Sequence, residues 1–158
     1  MGSERVRDIV GTAARLGLAA VFLISGVIKA IDPDATYVAV RAYDVLPKAL
    51  VELVAGVLPW FEIVLGLLLL AGIATRAAAV VSAGLLLVFV AGVTQAWARG
   101  LSIDCGCFGG GGAVAPDQTT YGLELLRDAG FLLLAGWLVV RPRTLGALTL
   151  PSRQEERI

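Results

Sequence analysis

Four stretches of this chain stay apolar for twenty residues or more, and almost everything polar collects between them. The stretches cover residues 9–30, 49–73, 77–97 and 121–140. About 20 helical residues cross a hydrocarbon core, so each is long enough to span a bilayer. Arg5 and Arg7 precede the first stretch as they would a signal peptide, but its length and its Ser25-Gly26-Val27-Ile28-Lys29 ending fit a retained anchor. The pattern predicts an all-α membrane protein: a four-transmembrane-helix bundle over residues 1–143, followed by a short charged tail at 144–158. Short connections make sequential helices antiparallel neighbours. Small residues such as Gly17, Ala20, Gly66 and Gly72 let the helices approach closely.

The connections differ in character. Residues 72–76 form a tight turn. Between the first two spans, Asp32-Pro33-Asp34 ends one helix and caps another. Ala35, Val38, Ala42, Val45 and Leu46 then recur at helical spacing, with Arg41 and Asp44 elsewhere on the wheel. This predicts a short amphipathic outer helix stopped by Pro47, acting as a connector or as a lid. The connection at 99–120 holds both cysteines, followed by Gly109 to Gly112, whose backbone freedom would let a partner approach the sulfurs.

Charge orients the bundle. Arg5, Arg7, Arg76, Arg141, Arg143, Arg153 and Arg157 fall on one side, and Arg41, Lys48 and Arg99 on the other, with Lys29 at its edge. The positive-inside rule assigns both termini to the cytoplasm and the cysteine connection to the extracytoplasmic face. Composition agrees with a membrane class: 58% of the 158 residues are hydrophobic and 16% charged, with mean hydropathy +0.84. A net charge of zero points away from nucleic acid. Histidine is absent, which removes the commonest general base and metal ligand.

Chemistry concentrates in Asp104-Cys105-Gly106-Cys107-Phe108-Gly109. A disulfide between Cys105 and Cys107 would close a very small ring, restrain the unfolded chain little, and belong to the labile, reactive kind. Charged and polar groups gather toward the same end. Lys29, Glu52, Thr94, Gln95, Glu124, Arg127 and Asp128 lie within about ten residues of the outer helix ends, hence within ~15 Å of that surface. Snorkelling accounts for Lys29 and Glu52. Arg127 lies about two turns deep, where a cation near a thiol favours the thiolate. Lys29, Glu52, Gln95, Arg99, Asp104 and Arg127 therefore form the predicted polar cluster around Cys105 and Cys107. Deeper in the bundle, Arg15 and Glu62 are expected to form a structural ion pair between the first two spans, with proton handling as the alternative. Trp60, Trp97 and Phe108 are interfacial anchors or, in the sharper reading, quinone contacts.

The run Arg15-Leu16-Gly17-Leu18, the stretch 22–29, Asp32-Pro33, residues 42–47, Leu58-Pro59-Trp60-Phe61-Glu62 with Leu65-Gly66, Arg76-Ala77-Ala78 and residues 99–109 occur in an order that resembles the MauE branch of the DoxX-like membrane proteins. The resemblance covers about Arg15 to Val140. It implies a four-span protein of the bacterial cytoplasmic membrane that supports disulfide maturation during methylamine utilisation, beside a thioredoxin-like partner. DoxX relatives in quinol oxidase assemblies supply a rival class, a non-catalytic assembly subunit. A soft-metal carrier binding Cu(I) or Hg(II) through Cys105 and Cys107 is the third; the expected resident metal is none. Both cysteines lie in one connection, so electrons do not cross the membrane through sulfur alone. Their sink or source is a lipid quinone or a second protein on the same face.

Overall fold

In a computed structural model, which describes residues 2–148, the chain forms five α-helices and one two-stranded hairpin. Helix α1 runs Gly2–Ile31, α2 Pro33–Ala42, α3 Lys48–Ala71, α4 Thr75–Ala98 and α5 Tyr121–Val140. Strands β1 (Ile103–Asp104) and β2 (Gly112–Ala113) pair antiparallel, with Ile103 opposite Ala113 and Asp104 opposite Gly112. Helices α1, α3 and α4 are long and apolar enough to cross a membrane. Helix α5 is 20 residues long but carries Glu124, Arg127 and Asp128 in its first half. Most of the chain's predicted tail, from residue 149 onward, lies outside the described residues.

The helices pack as two close pairs, α1 on α3 and α4 on α5, with α1 also touching α5. Leu18, Phe22, Leu69, Leu86 and Leu138 form the main core. A second apolar cluster joins Val93, Ala96, Ile103, Cys105 and Tyr121 beneath the hairpin. Outside, the bundle is as greasy as within: Val57, Val64, Leu67, Leu126 and Leu133 are all more than half exposed. A soluble domain does not cover itself in large apolar side chains to this extent. The fold is that of a membrane-embedded protein.

The α1–α3 contact depends on missing side chains. A Cβ on Gly26 would lie 2.8 Å from the Pro59 carbonyl oxygen, and one on Gly66 would lie 2.7 Å from Leu23. The backbones therefore meet at van der Waals distance along this seam. Pro59 sits inside α3, where it leaves the Ala55 carbonyl without its helical donor.

Two expectations need correction. Arg15 does not pair with Glu62. It is buried and donates from Nη1 to the carbonyls of Leu69 and Leu70, both at 2.8 Å, and from Nη2 to that of Leu145 at 3.0 Å. A guanidinium thus satisfies the last carbonyls of α3, whose orphaned oxygens and negative dipole end attract a cation. Gly72, at φ 71°, ends that helix, and a Cβ there would strike Arg15 Nη1 at 2.7 Å. The second correction concerns α2, which stops at Ala42 instead of continuing to Pro47. Asp44 takes a left-handed φ of 51°, and the Tyr43 carbonyl is held by Gln95 Nε2 at 3.1 Å. Val45 and Leu46 consequently lie beyond the helix.

The close seam predicts that Gly26→Val forces α1 and α3 apart. Overpacking of this kind costs about 1–3 kcal/mol, read as easier unfolding in mixed detergent micelles. Gly84→Ala, where an added Cβ meets nothing within 4 Å, should leave stability unchanged or raise it by up to ~1 kcal/mol.

Candidate functional site

The cysteines occupy the loop between β1 and β2, and that loop is shaped by glycine. Gly106 and Gly111 adopt φ of 66° and 97°. A Cβ on either would collide with the Ala39 side chain, at 2.7 and 2.5 Å. These glycines thus let the loop lie flat against α2, a packing role beside the freedom for a partner's approach that the sequence suggests. Asp104 Oδ1 accepts the Gly106 N–H at 3.2 Å, closing the turn that brings the sulfurs to one side. Tyr121, at the start of α5, accepts the Ile103 N–H at 3.1 Å and donates to the Leu101 carbonyl.

Below the loop lies a buried ionic knot. Lys29 Nζ sits 3.0 and 3.2 Å from the two carboxylate oxygens of Glu62. Glu62 is wholly buried and Lys29 nearly so. Ser25 hydrogen-bonds Lys29 and lies 3.2 Å from Glu62 Oε1. Both α1 groups also reach the loop: Ser25 Oγ donates to the Cys107 carbonyl at 2.7 Å, and Lys29 Nζ at 3.1 Å. The pair predicted from the sequence as Arg15–Glu62 is therefore realised as Lys29–Glu62.

The two thiols are free and unlike each other. Cys105 is buried at 9% exposure, whereas Cys107 is partly exposed. The Cys107 N–H donates to Cys105 Sγ at 3.3 Å. Arg127 Nη2 approaches the same sulfur at 3.8 Å, its guanidinium stacked 5.0 Å above the Phe108 ring. Hydrogen bonding from the Cys107 thiol, its N–H and Arg127 outweighs burial and brings Cys105 down to about 7. Cys107 moves the opposite way, pushed up by its bond to the Cys105 sulfur and by burial. Tyr43, whose hydroxyl donates to the Cys105 carbonyl at 3.1 Å, is raised by burial and by the nearby sulfurs. It stays a neutral donor throughout the physiological range.

Of the predicted cluster, Lys29, Asp104 and Arg127 meet around the cysteines. Gln95 and Arg99 act one step away. Gln95 holds the Tyr43 carbonyl, and Arg99 pairs with Asp44 at 3.1 Å. Glu52 is exposed on the first turns of α3. Trp60 is 62% exposed on the outer surface, and Trp97 is exposed with its ring 6.0 Å from that of Tyr121. Ser25, Tyr43 and Glu62 are the site residues that sequence reasoning did not connect with the thiols. Glu62 was visible as an intramembrane charge, but Ser25 and Tyr43 carry no periodic or charge signal.

Among the described residues, one group is spaced to hold a metal ion. A carboxylate oxygen of Asp104, Cys105 Sγ and a carboxylate oxygen of Glu124 lie within 4.8 Å of one another. One thiolate with two carboxylates suits a borderline ion such as Zn2+ better than the thiophilic Cu(I) or Hg(II).

Fold and site together define a helical membrane-embedded protein with a dithiol loop anchored to its polar interior. Residues 7–141 match the family described as methylamine utilisation protein MauE. The methylamine utilization protein MauE of Paracoccus denitrificans is 36% identical over 112 residues, which is 70% of this chain and 60% of that protein. This chain belongs to the MauE family. The matched region spans 60% of the length of that curated relative. No solved structure matches.

Two predictions follow from the geometry. Alkylation of Cys105 in a Cys107→Ser background, run alongside the intact protein, reports the thiolate as pH rises. In the intact protein the rate should climb through about pH 7, because a lowered pKa places the reactive form above that value. Arg127→Gln should move the midpoint upward; a full return to the ordinary ~8.5 would cut thiolate at pH 7 on the order of tenfold, which is the ceiling of the effect. In the ionic knot, Lys29→Met leaves Glu62 buried without its cation. Breaking such a pair typically costs about 3–5 kcal/mol. Adding Glu62→Gln should restore part of that stability, seen as a double-mutant coupling in detergent unfolding.

Proposed function

We propose that this protein oxidises a thioredoxin-fold partner by thiol–disulfide exchange on the extracytoplasmic face of the cytoplasmic membrane. In this topology α5 is the fourth span, both termini are cytoplasmic, and α2 and the cysteine loop face outward. The observation that carries the reading is the unequal pair: a partly exposed Cys107 residue beside a buried Cys105 whose thiolate has Arg127 for company.

In the oxidised protein, a thiolate of the partner attacks the sulfur of Cys107, the more exposed residue of the pair. The Cys105–Cys107 bond breaks and Cys105 departs as the thiolate. A lower leaving-group pKa speeds exchange, and a stabilised thiolate favours the reduced form, which makes the pair oxidising. The partner's second thiol then attacks its own sulfur in the mixed disulfide and releases Cys107. Two electrons and two protons pass from the partner's dithiol to this chain, and the partner leaves with a disulfide. The MauE relationship supports a place in methylamine utilisation, with a disulfide-bearing client as the product of the relay.

A second reading, a non-catalytic DoxX-like assembly subunit, is favoured by the burial of Cys105 and by a loop held through the Cys107 carbonyl, which needs no sulfur. Serine substitution separates the two. Cys105→Ser should retain a mixed disulfide between Cys107 and a thioredoxin-fold protein in spheroplasts, and Cys107→Ser should show none. A membrane-impermeant maleimide should label Cys107 from outside. Full client maturation with serine at both positions would overturn exchange in favour of assembly.

A further inference from the structure

The proposed exchange leaves this chain with two thiols and nowhere to send their electrons, because the sequence holds only these two cysteines. The structure offers a route. A cavity of about 450 Å³ opens between α2, α3 and α4, and its wall at the loop end is formed by Cys105, Gly106 and Cys107. Its volume lies within the roughly 300–1,000 Å³ of small-molecule sites. Apolar side chains line most of it; Lys29, Thr36, Tyr43 and Gln95 are the polar exceptions beside the cysteines, with the Phe89 ring also on the wall. Val88 and Val45, both more than half exposed on the greasy outer surface, also line the cavity. Its mouth therefore opens toward lipid.

We infer that this cavity takes the ring of a membrane para-quinone, which reoxidises the Cys105–Cys107 dithiol. The inference rests on the thiol-exchange reading and gives it a terminal acceptor. The occupant must be small, since a protein disulfide does not fit the space. It must enter from lipid, which selects an apolar molecule. It must accept two electrons and two protons, since an acyl chain filling the same space accepts none. A para-quinone meets all three conditions. In the step, the S–S bond forms, both thiols lose hydrogen, and the quinone carbonyl oxygens receive the two protons and two electrons to give the quinol.

The location differs from the sequence expectation. Trp60, Trp97 and Phe108 do not line this cavity, and Tyr43, Phe89 and Gln95 do. Gly92 provides a way to fill it, since a side chain there would grow into the space beside Tyr43, whose ring lies 3.4 Å from the added Cβ.

The test uses the full chain in lipid nanodiscs, reduced and then mixed anaerobically with a short-chain ubiquinone analogue. Quinol absorbance and free thiols are followed together. One quinol formed and two thiols lost per chain is the expected result. Gly92→Phe and, at the mouth, Val88→Trp should each slow quinol formation at least tenfold, while Gly56→Ala, on the far surface of α3, should match the parent. If the parent exchanges thiols with an oxidised thioredoxin but leaves the quinone untouched, the quinone inference falls and the exchange reading stands. If the thiols react with neither, both fall. Unchanged quinol formation in Gly92→Phe and Val88→Trp, each helical by circular dichroism, would overturn the cavity as the site.

Discussion

The Lys29–Glu62 pair is the constraint on which the rest of the structure depends. A carboxylate with no exposed surface in a membrane helix is tolerable only beside a cation and further donors. Lys29 provides the cation from one face of α1, and Ser25, four residues earlier on the same face, shares its one hydroxyl hydrogen between Glu62 and the Cys107 carbonyl. Their reach does not end at Glu62. The same ammonium and hydroxyl take the Cys107 carbonyl, so the interaction that fixes α1 against α3 also fixes the height of the cysteine loop. Bundle packing and site geometry are one network here. A change in the α1–α3 seam is therefore felt at the sulfurs without touching them.

The polar groups are distributed to suit a bundle whose outside is apolar. At one end, Arg15 spends its charge on the final carbonyls of α3. At the other, Lys29, Glu62, Glu124, Arg127 and Asp128 crowd beneath the loop. Helix α5 shows the cost most clearly, because three ionisable residues in its first two turns lower its apolar character. Arg127 meets Asp128 at 3.2 Å, stacks on Phe108 and faces Cys105, so its charge is shared among the loop's own groups. Glu124 Oε2 and Asp128 Oδ2 are buried with no hydrogen-bond partner among the described residues. The polar end of the bundle thus holds more acid than its two cations balance.

Helix positions were legible in the sequence because apolar runs and their Pro and Gly punctuation need no tertiary information. The partner of Glu62 was not. Choosing it requires the register of two antiparallel helices, which no periodicity encodes. The structure fixes that register through Leu23–Gly66, Gly26–Ile63 and Lys29–Glu62. Within it, Arg15 stands opposite Leu69 and Leu70, seven or eight residues past Glu62, or on the order of 10 Å along the axis. That is beyond the arginine's reach. The glycine run shows a similar limit. Backbone freedom was readable from residues 109–112, but its use, close approach to Ala39 on a helix 70 residues earlier, depends on a contact that the local sequence does not contain. Tyr43 was invisible for the same reason: its role follows from where the end of α2 lands.

The asymmetry of the two sulfurs is what turns this architecture into chemistry. Two equivalent thiols in a tight ring would react at either atom and favour neither direction of flow. Here α5 directs a guanidinium hydrogen bond at Cys105 Sγ, while α1 holds the backbone of Cys107, the residue with the greater solvent exposure of the two. One sulfur is thereby suited to be attacked and the other to leave. Because the groups that enforce this come from different helices, the difference between the thiols persists only while α1, α3 and α5 keep their packing. A bundle of this size is needed to keep two neighbouring cysteines unlike.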